Sequence, residues 1–218
     1  MLGHTHVTVG MATALAVLQP ATPAAVACVA LGGGLGGWIS DVDVRGLGDR
    51  RDVVEGALIL AGLGVLAWVA DGMYGLGIAA YLQAWTGSSS MWGALGFVAL
   101  VLIGTRCDHR GFTHSIAGAA LWSWMAYLAC PPVANAFALG IASHLALDLL
   151  NKKGLKLLLP LSRHGFSLDL CTADGVVNSV LGIVGTVCAV GLLAWLFATS
   201  AGVTELLPVT HTLQIAIS

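Results

Sequence analysis

A short polar segment lies between two apolar stretches of the sequence. Residues 108–115, DHRGFTHS, contain two imidazoles, His109 and His114, with Arg110 between them. Neutral imidazole is a common zinc ligand, and Thr113 is a candidate N-cap for a following helix. Taken alone, the segment fits a metal site and a solvated polar loop equally well.

Two further motifs combine the same residue types. SHLALD places His144 and Asp148 four residues apart, so that on a helix both side chains can reach one cation. SDVD places Asp41 and Asp43 after a glycine-rich apolar run, where the carboxylates can hold one metal ion or bridge two. The alternatives are a His–Asp pair that stabilises a helix and an ordinary polar helix end. An ionisable residue inside an apolar helix is costly and usually functional, which favours ligands at SHLALD.

Two weaker motifs complete the set. GHTH supplies His4 and His6 near the N-terminus, of which one is expected to bind metal and the other to face solvent. SRHG supplies Arg163, which could clamp a phosphate with two parallel hydrogen bonds, and His164, a ligand or general acid.

The composition identifies the environment in which these residues must work. Of the 218 residues, 57% are hydrophobic and only 9% are charged, against about 25% charged in globular proteins. Most of the surface must therefore face lipid. Nine basic residues among eleven acidic ones form no basic stripe, so a nucleic-acid partner is not expected.

Apolar runs predict the helices that position the motifs. A span needs about 20 apolar residues, with about 17 as a minimum. We expect an all-α polytopic membrane protein of about seven transmembrane helices in one domain, 1–218, with the metal-site core at 4–165 and a last helix at 176–199. Residues 72–90 are expected to form an interfacial or re-entrant piece. The predicted spans are 5–18, 21–39, 53–70, 91–105, 114–130, 133–150 and 176–199.

Threading these seven spans places all basic residues on one side of the membrane, which the positive-inside rule assigns to the cytoplasm. The same side receives six of the seven histidines, and only His211 falls on the other. The predicted metal site therefore lies at the cytoplasmic ends of the helices. The basic residues are Arg45, Arg50, Arg51, Arg106, Arg110, Lys152, Lys153, Lys156 and Arg163.

Several enzyme classes are disfavoured by the motifs that the sequence lacks. It contains no H-E-x-x-H, which disfavours a zincin-type protease. It also has no G-x-S-x-G and no Walker A lysine loop, which disfavours a serine hydrolase and a nucleotide-driven pump.

Taken in order, the motifs resemble one known family. An N-terminal His, D-x-D, H-R-G-x-T-H-S and S-H-x-x-x-D followed by Gly154 resemble the YdjM-like inner-membrane proteins, which are named as LexA-regulated, predicted metal-dependent hydrolases. That family is distantly similar to zinc-dependent phospholipase C. Many relatives have a histidine after D-x-D, whereas this chain has Val44. The resemblance implies the metal ligands His6 (or His4), Asp41, Asp43, His109, His114, His144 and Asp148.

Residues and resemblance together predict a metal-dependent phosphoesterase in the inner (plasma) membrane of a prokaryote. It would bind one to three divalent ions, zinc first and Mn²⁺ or Fe²⁺ as alternatives. Its partners would be membrane lipids and a lipid or lipid-linked phosphoester, with homo-oligomers left open. Arg110 and Arg163 would neutralise the phosphate. Two other classes stay open: a metal-ion transporter or sensor, and a non-catalytic protein with a structural metal.

Overall fold

The described part of the chain is helical, as expected for an all-α protein. The computed structural model describes residues 2–44, 47–172 and 175–202. Two 3₁₀ turns, Ser40–Asp43 and Phe112–His114, interrupt the helical order near the predicted ligands. The helices are α1 (Gly3–Leu18), α2 (Pro23–Ile39), α3 (Leu47–Tyr74), α4 (Ile78–Gln83), α5 (Ser88–Gly104), α6 (Ile116–Ala129), α7 (Pro131–Leu149) and α8 (Val176–Ser200).

Four segments of the described chain are long and apolar enough to cross a membrane. They are Pro23–Asp43, Arg50–Tyr74, Pro131–Leu149 and Val176–Ser200. The helices α5 and α6 are apolar but shorter, with 17 and 14 residues. Each predicted span coincides with a helix, but the count of seven spans stays a prediction. Only 6% of the apolar window of α3 is buried, against 22% to 67% in the other three segments, so this helix packs least against the rest of the described chain.

Residues 72–90 form a connection containing one short helix. Here α3 continues to Tyr74, α4 occupies Ile78–Gln83, and α5 begins at Ser88. The Asp71 carboxylate accepts hydrogen bonds from the backbone N–H groups of Ile78 (3.0 Å) and Ala79 (2.9 Å) and so ties α4 to the end of α3. The depth of this connection in the membrane stays a prediction.

Glycines allow α1, α2 and α7 to touch backbone to backbone. A Cβ atom on Gly36 would lie 2.1 Å from the carbonyl oxygen of Phe137, and one on Gly37 would lie 2.2 Å from that of His6. A Cβ on Gly140 would lie 2.2 Å from the Gly33 oxygen. Small residues permit such close approach of helices in membranes. These contacts hold the start of α1 and the middle of α7 against α2, so that the helix ends with the predicted ligands lie close together.

We expect Gly37→Ala to destabilise the protein by about 1–3 kcal/mol, because the added methyl group forces α1 and α2 apart. The matched control is Gly62→Ala in α3, where a Cβ would meet no atom within 4 Å. The thermal unfolding midpoint of both variants, measured in detergent, checks this expectation. Equal midpoints for the two variants would contradict it.

Candidate metal centre

The predicted motifs meet at one end of the helix bundle. They come from the start of α1, the 3₁₀ turn after α2, the loop before α6 and the end of α7. Their ligand atoms form two groups, in each of which the atoms lie within 4.8 Å of one another. One group is Asp41, Asp43, His109 and His114, and the other is His6, His144 and Asp148.

The two groups adjoin and form one centre, which we call the His/Asp cluster. The Nε2 atom of His114 lies 3.7 Å from Oδ2 of Asp148, and that of His144 lies 3.7 Å from Oδ1 of Asp41. The imidazole ring of His144 lies between the other two: its centroid is 3.9 Å from that of His6 and 5.0 Å from that of His114. The cluster comprises His6, Asp41, Asp43, His109, His114, His144 and Asp148.

Almost the whole His/Asp cluster is buried. The side chains of His6, His114 and His144 are inaccessible, and the Asp41 residue is only 7% exposed. His109 is the exception, with 37% of its side chain exposed, so it marks the edge from which solvent reaches the cluster. Burial of carboxylates without partners is strongly unfavourable, so the cluster requires compensating hydrogen bonds or a cation.

Four imidazole nitrogens in the cluster lack a hydrogen-bond partner. They are the buried Nε2 atoms of His6, His114 and His144 and the Nδ1 atom of His6. The nearest carboxylate oxygens are 3.4 Å from His114 (Asp41) and 3.5 Å from His6 (Asp148), which is beyond the usual 2.7–3.2 Å of a hydrogen bond. Two ligands that each lie about 2.0–2.1 Å from a tetrahedral zinc ion are themselves about 3.3 Å apart. The spacing therefore suits ligands around an ion better than direct hydrogen bonds.

In His144 and His114, the contact of the other ring nitrogen, Nδ1, explains why Nε2 points into the cluster. The Nδ1 atom of His144 lies 2.6 Å from the carbonyl oxygen of Gly37. A carbonyl can only accept, so Nδ1 must carry the proton, and in the neutral ring Nε2 then holds a free lone pair. The Nδ1 atom of His114 lies 3.1 Å from the hydroxyl oxygen of Thr113, which itself donates to Asp43. Hydrogen bonds of this kind orient metal-binding histidines.

Asp43 is held by protein groups at both carboxylate oxygens. Its Oδ1 lies 2.8 Å from Nδ1 of His109, and its Oδ2 accepts a hydrogen bond from the Thr113 hydroxyl. These contacts fit a residue that orients His109 and His114, while direct metal binding by Asp43 stays a prediction.

Thr113 is not the N-cap of α6; Ser115 takes that position and accepts from the N–H of Gly118 at 3.0 Å. The Thr113 hydroxyl is instead directed to Asp43.

Arg110 lies at the border of the cluster and is only 8% exposed. Its guanidinium is 3.3 Å from Oδ2 of Asp148 and also donates a hydrogen bond to the carbonyl oxygen of Lys153. The sequence predicts that Arg110 neutralises a phosphate. In the structure, its positive charge already faces the carboxylate of Asp148.

The remaining predicted residues lie outside the two groups. His4 is half-buried, and its imidazole lies near Gly182 of α8. Arg163 and His164 are exposed in the segment after α7, where His164 packs edge-on against Phe166 with ring centroids 5.0 Å apart. Between His4 and His6, it is therefore His6 that joins the cluster. Arg45 and His211 lie outside the described residues.

The carboxylates around His114 govern its protonation. Burial lowers the pKa of this imidazole, but the neighbouring Asp41 and Asp43 outweigh burial and raise it from 6.5 to about 9. These carboxylates therefore favour the doubly protonated form of His114. An ion that binds its Nε2 must displace that proton, so metal binding at this cluster is expected to weaken as the pH falls.

Some functional groups were not predicted from the sequence. The Gly37 carbonyl that orients His144 and the Thr113 hydroxyl that binds Asp43 are both supplied through the fold. A glycine or threonine beside a ligand carries no sequence signal for such a role.

The fold and the cluster define a class of protein: a helical membrane protein with a buried His/Asp centre that could hold metal. A family model described as YdjM inner membrane protein matches residues 1–217. The chain belongs to this family, which confirms the resemblance in its motifs. No curated protein and no solved structure matches the chain.

Substitution of His6 is expected to impair metal binding far more than the same substitution of His4. His6→Gln removes one of the unpartnered nitrogens, and the metal affinity should fall by at least about 100-fold, the upper range for loss of an orienting group. His4→Gln is the matched control. Elemental mass spectrometry of the purified variants measures the metal content, and equal losses in both would refute the assignment of His6.

Asp43→Asn is expected to weaken metal binding without abolishing it. The amide keeps the shape of Asp43 but loses the charge that orients His109 and His114, so the affinity should fall by about 10–100-fold. Metal titration against a competing chelator gives the affinity and the number of ions bound at saturation. The exposed Asp169→Asn serves as the control. A lower number of ions at saturation would instead make Asp43 a direct ligand.

Proposed function

We propose that the protein is a membrane-embedded, metal-dependent hydrolase that cleaves a phosphoester of a lipid or lipid-linked substrate. The observation that carries this proposal is the convergence of the unpartnered Nε2 atoms of His6, His114 and His144 on Asp41 and Asp148. A site of three imidazoles and two carboxylates suits Zn²⁺, and also Mn²⁺ or Fe²⁺.

The residues of the cluster fit a divalent ion on three counts. The Nε2 atoms are buried and lack hydrogen bonds, their distances to carboxylates suit a shared ion, and two of the rings are oriented through Nδ1. Asp41 and Asp148 lie between the two groups and could each serve both. The arrangement would thus accommodate more than one ion, and paired ions about 3.5–4 Å apart are common in enzymes that cleave phosphoesters.

When bound, a divalent ion would supply Lewis acidity and lower the pKa of water toward about 7. The residues of the chain would do the rest. Arg110, held beside Asp148, would place positive charge near a phosphate at the cluster. His109 would line the approach from solvent, because it is the exposed member of the cluster. Arg163 as a second phosphate contact and His164 as a general acid remain parts of the proposal that variants can test.

A lipid substrate is favoured by the position of the cluster at one end of apolar helices. The loops before α6 and after α7 carry six basic residues, so the positive-inside rule favours the cytoplasmic face for the cluster. They are Arg106, Arg110, Lys152, Lys153, Lys156 and Arg163. A phosphoester at headgroup depth would reach His109 without crossing the apolar bundle. Both the sidedness and the substrate belong to this proposal.

The proposal is tested by hydrolysis assays on metal-loaded protein with phospholipids and other phosphoesters. We expect Asp148→Asn to lower the rate by about 100-fold or more, since Asp148 contacts His6, His114 and Arg110. The exposed Asp169→Asn should stay within about two-fold of the wild-type rate, as is usual for surface sites. A chelator should abolish activity, and zinc should restore it.

The same assay distinguishes a hydrolase from the two alternative classes, a protein with a structural metal and a metal-ion transporter or sensor. If wild-type protein and Asp148→Asn process every phosphoester equally poorly, the hydrolase proposal fails. Bound metal without turnover would then favour a structural metal. Metal uptake into proteoliposomes that depends on Asp148 would favour a transporter.

A further inference from the structure

The residues of the loop that carries His109 and His114 divide between two neighbouring regions of the protein. His109 and His114 belong to the His/Asp cluster, and Arg110 and Thr113 contact it. Other residues of the same loop, Cys107, Asp108, Gly111 and Phe112, line a cavity of about 270 Å³. Since consecutive Cα atoms are about 3.8 Å apart, Phe112 lies at most about 7.6 Å from His114 along the chain. The cavity and the cluster are therefore close neighbours along one loop.

The far wall of this cavity is basic. Lys156, Leu159 and Arg163 complete the lining, and all three belong to residues 151–171, which we call the basic loop. Within the described residues, neither Lys156 nor Arg163 has a carboxylate within ion-pair distance. Cations that line a cavity without such a partner are suited to bind an anion.

The basic loop is held in place by backbone hydrogen bonds. Leu155 and Phe166 exchange two of them, each 2.8 Å long, which closes the segment that bears Lys156 and Arg163. The N–H of Ile116, at the start of α6, donates to the carbonyl oxygen of Leu157 at 3.0 Å. The backbone that bears the two cations is thus fixed relative to the loop of His109 and His114.

Exposed leucines place the cavity at a lipid surface. Leu158 and Leu161 of the basic loop are 43% and 92% exposed, although leucine is normally buried. Leucines beside lysine and arginine are typical of segments that lie at the boundary between acyl chains and headgroups. The cavity would therefore meet lipid headgroups rather than bulk solvent.

We propose that this cavity binds a phosphate group of the substrate lipid, distinct from the phosphoester at the His/Asp cluster. The inference rests on the proposed function and narrows it to lipids with two phosphate groups in their headgroup. Arg163 would form paired hydrogen bonds to the phosphate, and Lys156 would add a point charge. Arg110 cannot serve this face, because its guanidinium is turned to Asp148 and Lys153.

Asp108 limits what the cavity can hold. Its exposed carboxylate also lines the space, so the cavity carries two positive charges and one negative charge. The resulting net charge of +1 suits a small anion such as one phosphate, whereas a longer polyanion would meet repulsion from Asp108.

The test compares two short-chain lipid probes that differ by one phosphate. They are analogues of dihexanoyl phosphatidylglycerol in which P–C bonds replace every ester P–O bond, with and without a terminal phosphonate that stands in for the added phosphate, so that the protein cannot hydrolyse them. Binding to the purified full-length protein in detergent is measured by calorimetry, and inorganic phosphate is added as a competitor. The variant Lys156→Gln/Arg163→Gln is compared with Lys152→Gln/Arg51→Gln, which removes one lysine and one arginine charge from exposed positions outside the cavity.

Wild-type protein should bind the probe with two phosphates about ten-fold more tightly, because two cations face the added group. The cavity variant should lose most of this preference, and the control variant should keep it. The proposal is overturned if wild-type protein shows no preference, if both variants lose it equally, or if inorganic phosphate competes as well as the lipid probe. A preference that persists in protein without hydrolase activity supports the cavity and rejects the proposed function. Hydrolysis without the preference does the reverse.

Discussion

The structure depends on one constraint, the burial of carboxylates and imidazoles inside an otherwise apolar bundle. Asp41, Asp43 and Asp148 are each at most 7% exposed, so their charge must be balanced within the protein. Hydrogen bonds from protein groups balance part of this charge, most completely at Asp43, where both carboxylate oxygens have a partner. The Nε2 atoms of the inner histidines remain without hydrogen bonds. At His114 and His144, Nδ1 is engaged and Nε2 is free, and this division distinguishes a cation site from a purely structural polar network.

Gly37 links the packing of the helices to the chemistry of the cluster. Because it has no side chain, the backbone of His6 can approach α2 closely. Its carbonyl oxygen also accepts from Nδ1 of His144 and so sets the orientation of that ring. His6 and His144 then stack with ring centroids 3.9 Å apart. The same backbone contact that joins the helices therefore also sets the geometry of the histidines.

The sequence predicts the helices well because their apolar runs must match the bilayer. The runs 21–39 and 133–150 correspond to Pro23–Ile39 and Pro131–Leu149 with errors of at most two residues. The run 53–70 underestimates α3, because the polar residues at its start continue the helix from Leu47. Hydropathy detects where a chain enters an apolar environment, but not where a helix begins.

The candidate ligands were also accessible from the sequence, while their partners were not. His144 and Asp148 share a helix face four residues apart, a relation that helical geometry fixes. The choice of His6 over His4 and the direction of the Thr113 hydroxyl depend on which helices pack together, which spacing along the chain does not reveal. The sequence also does not reveal that the Arg110 guanidinium, which we expected to bind a phosphate, lies 3.3 Å from the carboxylate of Asp148. A phosphate at the cluster would have to share that guanidinium, whereas Lys156 and Arg163 of the basic loop line a cavity beside the loop of His109 and His114 without facing a carboxylate of the described residues at ion-pair distance.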